Sequence, residues 1–284
     1  MSQTISTAQK VWFITGSSKG FGRVWAQAAL ERGDKVAATA RNTDTLTDLV
    51  EQYGDNVRAI PLDVTDEAAV KAAVAAAVDA FGRLDIAVNN AGYGLFGAIE
   101  EISPQQARDQ IETNLFGALW VTQAVMPIMR RQGSGHIIQV SSIGGVNAFG
   151  TLGLYHASKW GLEAFSQSLA AEVADFGIHV TIVEPGGYST DWSGPSSVRV
   201  DPMPEYEGAR ARRAQFVGAA ARLPGVPEAT GPVILELADM ENPPLRLFLG
   251  EYGLDMTRAE YERRIAEWER YDDLARRAQG MVSA

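Results

Sequence analysis

Short runs of β-branched and apolar residues alternate with longer stretches of helical periodicity from the start of the chain to about Pro185. The runs are VWFIT, KVAATA, VRAIPL, DIAVNN, HIIQVS and HVTIVE, and RLFLG follows later. Each reads as a nearly continuous apolar segment, as a strand does when both faces of its sheet are covered. Helical periodicity predicts helices over residues 20–32, 66–80, 114–131 and 155–176. Ser103 and Pro104 fit an N-cap followed by proline at the first helical position, with Gln106 placed to complete a capping box. Strands alternating with helices in this way predict an α/β fold, a doubly wound parallel sheet with helices on both faces.

The alternation breaks after Pro185. The following stretch, about 187–227, is rich in Gly, Pro, Ser and Arg and carries Tyr188, Trp192, Met203 and Tyr206, which predicts a substrate loop or lid. A charged helix is expected over about 257–279, opened by a capping box of Thr257 and Glu260. Its apolar stripe is Tyr261, Ile265 and Trp268, to be docked on its own domain or on another subunit. No repeat or low-complexity segment is apparent, so the expectation for residues 1–284 is one domain with a lid and a C-terminal helical extension.

Composition narrows the function classes. Apolar residues make up 46% of the 284 and charged residues 21%, the balance of a globular chain. The net charge of −10 argues against nucleic acid, whose phosphates need a basic surface. No run of 18 apolar residues suits a membrane, and MSQTISTAQK lacks the charged-then-apolar pattern of a secretory signal. A cytoplasmic location is therefore the expectation. Cysteine is absent, which removes disulfides and thiolate chemistry, and His136, His156 and His179 lack the short spacing of a zinc site, so no metal is expected.

Directly after the first strand comes TGSSKGFG, Thr15 to Gly22, opening into a helix. Glycines at such a turn permit left-handed backbone and let a pyrophosphate approach the amides at the positive end of the helix. Gly16, Ser18, Lys19, Gly20, Phe21 and Gly22 are thus candidate cofactor contacts. Where an NAD-selective fold places an acidic residue, at the end of the second strand, this chain has Ala40 and then Arg41. A guanidinium pairs with a 2′-phosphate, each charge-assisted hydrogen bond contributing roughly 1.5–3 kcal/mol. Arg41 and Lys19 together therefore favour NADP(H) over NAD(H).

The segment YHASK puts Tyr155 and Lys159 four residues apart, on one face of a helix. Shifting a phenol by about three pKa units requires roughly 4 kcal/mol of preferential phenolate stabilisation, and a nearby ammonium supplies a field of that sign. Ser142, at the end of the fifth strand, is placed to donate a hydrogen bond to an oxygen that gains negative charge.

These motifs together resemble the short-chain dehydrogenase/reductase family in its single-domain form. TGSSKGFG resembles its TGxxxGxG loop, NNAG from Asn89 to Gly92 its fourth-strand motif, Asn114 its proton-relay asparagine and YHASK its YxxxK. Ser142 stands at the family's spacing before Tyr155, and PGGYST supplies Pro185, Gly186 and Thr190. The resemblance covers about 11–250. It implies a seven-stranded Rossmann fold of order 3-2-1-4-5-6-7 with the nicotinamide across the carboxyl ends of the strands. It implies Tyr155 as general acid and base, with Lys159 binding nicotinamide ribose and lowering the tyrosine pKa. Ser142 would orient the substrate and Asn114 hold a water chain. Asp63 and Val64 match adenine contacts, and Asn90, Ala91 and Gly92 line the cofactor, as do Pro185, Gly186, Tyr188 and Thr190. Gly187 and Tyr188 depart from the usual aliphatic residue after the Pro-Gly pair. Relatives of this kind imply a homodimer or homotetramer.

The residues expected around the nicotinamide are mostly apolar: Tyr93, Leu95 and Phe96 after NNAG, Phe149 and Leu152 before Tyr155, and Tyr188 and Trp192 in the lid. The expected substrate is an apolar ketone, aldehyde or secondary alcohol, although Arg199, Arg210, Arg212 and Arg213 keep an anionic group open. Two alternatives stand beside an NADPH-dependent ketone or aldehyde reductase. One is an NAD-dependent secondary-alcohol dehydrogenase working oxidatively, the other a non-catalytic NADP(H)-binding sensor.

Overall fold

The computed structural model describes residues 9–194, 196–220 and 224–280. The N-terminal segment read for a targeting signal lies largely outside them, as do residues 195 and 221–223 of the expected lid.

Seven strands form one parallel sheet: β1 (Val11–Ile14), β2 (Lys35–Ala40), β3 (Val57–Pro61), β4 (Ile86–Asn89), β6 (Gly135–Val140), β7 (Ile178–Pro185) and β9 (Arg246–Leu249). Their order is β3-β2-β1-β4-β6-β7-β9. Two short strands, β5 (Leu95–Phe96) and β8 (Val198–Arg199), pair separately, so counting only the large sheet gives the expected 3-2-1-4-5-6-7. The fold is Rossmann-like, with helices around the sheet.

Both faces are apolar because the strand side chains alternate. Trp12 and Ile14 of β1 enter one core with Trp25, Ala26 and Leu30 of α1 (Gly20–Arg32). Val11 and Phe13 enter the opposite core with Val70 and Val74 of α3 (Glu67–Phe81) and with Val121 and Val125 of α5 (Gly117–Gln132). A further short helix, α2 (Thr47–Tyr53), leads into β3.

The Ser103 capping box forms as expected, with the Gln106 amide donating to Ser103 Oγ at 3.2 Å and the Ser103 amide to Gln106 Oε1 at 3.0 Å. It opens α4 (Pro104–Ile111), which continues through one π turn, Glu112–Phe116, into α5. The expected helix over 155–176 is α6 (Gly153–Val173), extended by a 3-10 turn.

The stretch expected as a lid or substrate loop contains α7 (Glu207–Ala220), where Ala, Arg and Gln are good helix formers and Glu207 favours the positive helix start. Helix α8 (Thr230–Asp239) then packs on α1. One expectation is corrected: the C-terminal helix α9 (Gly253–Arg270) begins before Thr257, so Thr257 is internal and cannot cap; its Oγ1 accepts from Asn147 Nδ2 at 2.8 Å. Of the two dockings expected for the stripe, the one on its own domain is incomplete, since Tyr261, Ile265 and Trp268 are 39, 47 and 67% exposed. After it comes α10 (Asp272–Ala278). No helix among the described residues is long and apolar enough to cross a membrane.

Candidate active site

Because all seven strands are parallel, their carboxyl ends share one edge of the sheet. The loops at this edge carry most of the sequence-predicted site residues.

The glycine loop leaves β1 and is fastened to the segment after β4. Thr15 Oγ1 accepts from the backbone amides of Asn90 at 2.9 Å and Ala91 at 3.0 Å. Asn90 donates its side-chain amide to the carbonyls of Thr15 and Gly16, so this residue braces the loop. Gly16 has φ +67°, open to glycine without strain. A Cβ on Gly22 would lie 2.4 Å from the Gly16 carbonyl oxygen and 2.5 Å from Asn90 Nδ2, so only glycine fits.

Helix α1 begins with no side-chain cap and no acidic residue in its first turn, leaving its amides for an anion. These features fit a dinucleotide pyrophosphate. Ser18 and Lys19 lie in this loop, and Phe21 stacks on Trp25 and meets the edge of Tyr188 at 5.1 Å. Arg41 is exposed at the end of β2, and no carboxylate among the described residues pairs with it. Lys19 lies 3.7 Å from Asp191, a link between the glycine loop and the segment after β7 that the sequence did not announce. Asp63 is exposed with Oδ1 accepting from Thr65, and Val64 is buried where a Cβ on Gly117 would strike it.

The π turn places Asn114. Its Oδ1 accepts from the Tyr93 amide at 3.0 Å, and its Nδ2 donates to the Tyr93 carbonyl at 2.9 Å and to Ser158 Oγ at 3.2 Å. Helix α6 supplies Tyr155 and Lys159, both buried. The Ser142 hydroxyl hydrogen-bonds the Tyr155 phenol, and its oxygen also accepts from the Gly144 amide. His156 fixes the connection between Ser142 and Tyr155: its Nδ1 lies 2.8 Å from the Gly144 carbonyl, and its Nε2 accepts from the Phe149 amide at 3.0 Å. Nδ1 therefore carries the proton.

The electrostatics differ from the expected lowering of Tyr155 by Lys159. Burial pushes the Tyr155 phenol up to about 12, with the Ser142 hydrogen bond pulling the other way. Lys159 does not offset this, because its ammonium donates to the Val140 carbonyl at 2.7 Å and lies 6.0 Å from the centre of the Tyr155 ring. Burial brings Lys159 itself down to about 8, while Glu163 one turn along holds it up.

Of the expected pocket residues, Phe96, Leu152 and Trp192 form one cluster with the catalytic candidate Tyr155. Trp192 lies 4.9 Å from Tyr155 and 5.4 Å from Phe96, ring to ring, and Thr190 Oγ1 caps the turn that carries it. Leu95 is fully buried, Tyr93 borders Asn114, and Phe149 packs edge-on against His156. Pro185 ends β7, and Gly186 leads to Tyr188, whose backbone bridges to Gly225. The Gly187 amide donates to the hydroxyl of Tyr252, the residue before α9, which anchors this loop.

Sequence reading missed a buried acid pair beneath the site. Glu163 and Glu184 face each other, with Arg246 Nε 3.1 Å from Glu163 and 3.5 Å from Glu184. One cation cannot neutralise two carboxylates, so burial and the Glu163 charge push Glu184 up to about 8. Residues 163 and 184 stand far apart in sequence, and nothing local marks the contact.

A family model described as short chain dehydrogenase matches residues 10–199. The chain belongs to the short-chain dehydrogenase family. An oxidoreductase of Botryotinia fuckeliana, BOA17, is 41% identical over 94% of this chain and 98% of its own length. A 3-ketodihydrosphingosine reductase of Bacteroides thetaiotaomicron is 34% identical over 85% and 88%. The crystal structure of a short-chain dehydrogenase from Streptomyces avermitilis is 38% identical, with a TM-score of 0.89 over 96% of this chain and 100% of its own. The protein is thus an oxidoreductase of a fold that binds nicotinamide dinucleotides, acting on alcohol or carbonyl groups of small molecules.

Proposed function

We propose that this protein reduces a ketone or aldehyde to an alcohol with NADPH, through Tyr155 as general acid. The observation that carries the reading is the hydrogen bond between Ser142 and the Tyr155 phenol at the carboxyl edge of the sheet, with Lys159 and Asn114 around it. A reduced dinucleotide bound there would be the source of the hydride that the carbonyl carbon takes up. Tyr155 gives its proton to the carbonyl oxygen, and Ser142 donates a hydrogen bond to that oxygen as charge develops. A phenol held up at about 12 is fully protonated at neutral pH, which suits the direction of reduction. Asn114 shapes the path by which a proton returns to Tyr155.

Arg41 and Lys19 are the residues that would meet a 2′-phosphate, with the half-exposed Lys19 free to leave Asp191. The first-turn amides of α1 would hold the pyrophosphate. Phe96, Leu152 and Trp192 favour an apolar substrate body, and the relative named for a ketone reduction supports the direction. The same reading has one domain in which residues 187–227 form a lid, working in the cytoplasm as a homodimer or homotetramer. The exposed stripe on α9 supports the assembly.

The test is a panel of ketones, aldehydes and secondary alcohols, each with NADPH and NADH, NADP⁺ and NAD⁺. Carbonyl reduction with NADPH as the better donor is expected. Turnover confined to alcohols with NAD⁺ would replace the proposal with the oxidative reading.

A further inference from the structure

Phe96, one ring contact from Trp192 and two from Tyr155, is flanked by two guanidinium groups. The Arg199 Cζ lies 4.4 Å from the centre of its ring and the Arg213 Cζ 4.7 Å. Arg213 belongs to α7 and Arg199 to β8, so both cations are delivered by the lid. Their neighbour Arg210 is committed elsewhere, bonded to Glu101 at 2.7 Å and to the Met203 carbonyl. Arg213 differs: among the described residues no carboxylate or hydrogen-bond acceptor meets it.

That arrangement is costly for the protein alone. Arg213 is partly buried, and burial followed by the charge of Arg199 lowers its pKa from the ordinary arginine value. Its charge also reaches His156, next to Tyr155 in sequence. Stacking on Phe96 recovers part of the lost hydration but leaves the five N–H donors of the Arg213 guanidinium without an acceptor among the described residues. In a chain of net charge −10 an acidic partner was readily available, yet among the described residues none meets Arg213. A ligand oxyanion would supply both the acceptors and the missing charge.

We propose that Arg213 and Arg199 bind an oxyanion at the far end of the substrate, so that the carbonyl compound carries a carboxylate or phosphate beyond its apolar body. The inference rests on the carbonyl-reductase reading for the reacting end. It adds what the lid recognises: the aromatic cluster of Phe96 and Trp192 packs the body, and the guanidinium pair fixes its distal charge.

The experiment compares 4-acetylbenzoate, 4-acetylphenyl phosphate and methyl 4-acetylbenzoate, which share one ketone. Binding to the enzyme loaded with oxidised cofactor is measured by calorimetry, where no hydride transfer follows, and kcat/KM is measured with the reduced cofactor. At least one anion is expected to bind about tenfold tighter than the ester, the scale of one charge-assisted hydrogen bond. The preference should shrink with salt and vanish in Arg213→Gln, with Arg213→Ala as a second variant. The anion that gains more identifies the head group. Equal binding of ester and anions by the native enzyme, or a preference that survives in both folded variants, overturns the proposal. Charge-selective binding without reduction of any ketone would leave the oxyanion site standing and refute the reductase reading. Reduction indifferent to charge would do the reverse.

Discussion

Lys159 donates its ammonium to the carbonyl oxygen of Val140, the last residue of β6, at 2.7 Å. The ammonium that the YxxxK spacing places beside Tyr155 is thus held by the strand end, 6.0 Å from the ring centre. One residue further on, β6 gives way to Ser141 and Ser142. The strand that orients Lys159 therefore also delivers the hydroxyl bonded to the Tyr155 phenol.

With Lys159 lowered to about 8 by burial, its charge is present below that pH and lost above it. The rate of carbonyl reduction should therefore fall as pH rises through about 8. Lys159→Met is expected to cut kcat by roughly 10²-fold or more, within the range for a positioned proton-transfer group. A pH profile of kcat with saturating cofactor checks both. A native profile flat to pH 10 would detach Lys159 from the reaction.

Arg41 governs the choice of dinucleotide in this account. Arg41→Ala should lower the ratio of kcat/KM for NADPH over NADH by about tenfold, as loss of one charge-assisted hydrogen bond predicts. Steady-state kinetics with both cofactors reads this directly, and an unchanged ratio would transfer the selectivity to other residues.

The carboxyl pair ties stability to pH. Glu184 is raised to about 8 by burial and then by the charge of Glu163, from the ordinary glutamate value of 4.5, so the folded state holds a proton that the unfolded state releases. Stability on this account is highest near the lower value and declines as pH rises from about 4.5 through about 8. Glu184→Gln keeps the shape, donates to Glu163 without titrating, and should flatten that decline. Urea unfolding at several pH values measures it; the same slope in native and variant protein would place the titration elsewhere.

Much of this was legible in the sequence, for identifiable reasons. Strands such as VWFIT and HIIQVS announce themselves because both faces of the sheet are buried, and Ser103, Pro104 and Gln106 mark a helix start through local hydrogen bonds. Tyr155 and Lys159 share a face because four residues make about one turn. The links that escaped are those between distant segments: Lys19 with Asp191, Glu163 with Glu184, and the Tyr252 hydroxyl with the Gly187 amide. Thr257 and Glu260 misled because a capping pattern says nothing about whether the preceding residues are already helical, and here Tyr252 and Gly253 begin the turn. The Tyr155 pKa misled because residue spacing shows the neighbouring charge but not the burial that opposes it.

The central claim is that the phenol of Tyr155 delivers the proton. Replacing Tyr155 with Phe removes only the hydroxyl from a buried ring that also packs against Trp192 and His156. With dinucleotide binding measured in parallel, the account predicts that Tyr155→Phe binds NADPH as the native protein does while carbonyl reduction drops by about 10²–10⁴-fold. Reduction at the native rate in that variant would contradict it.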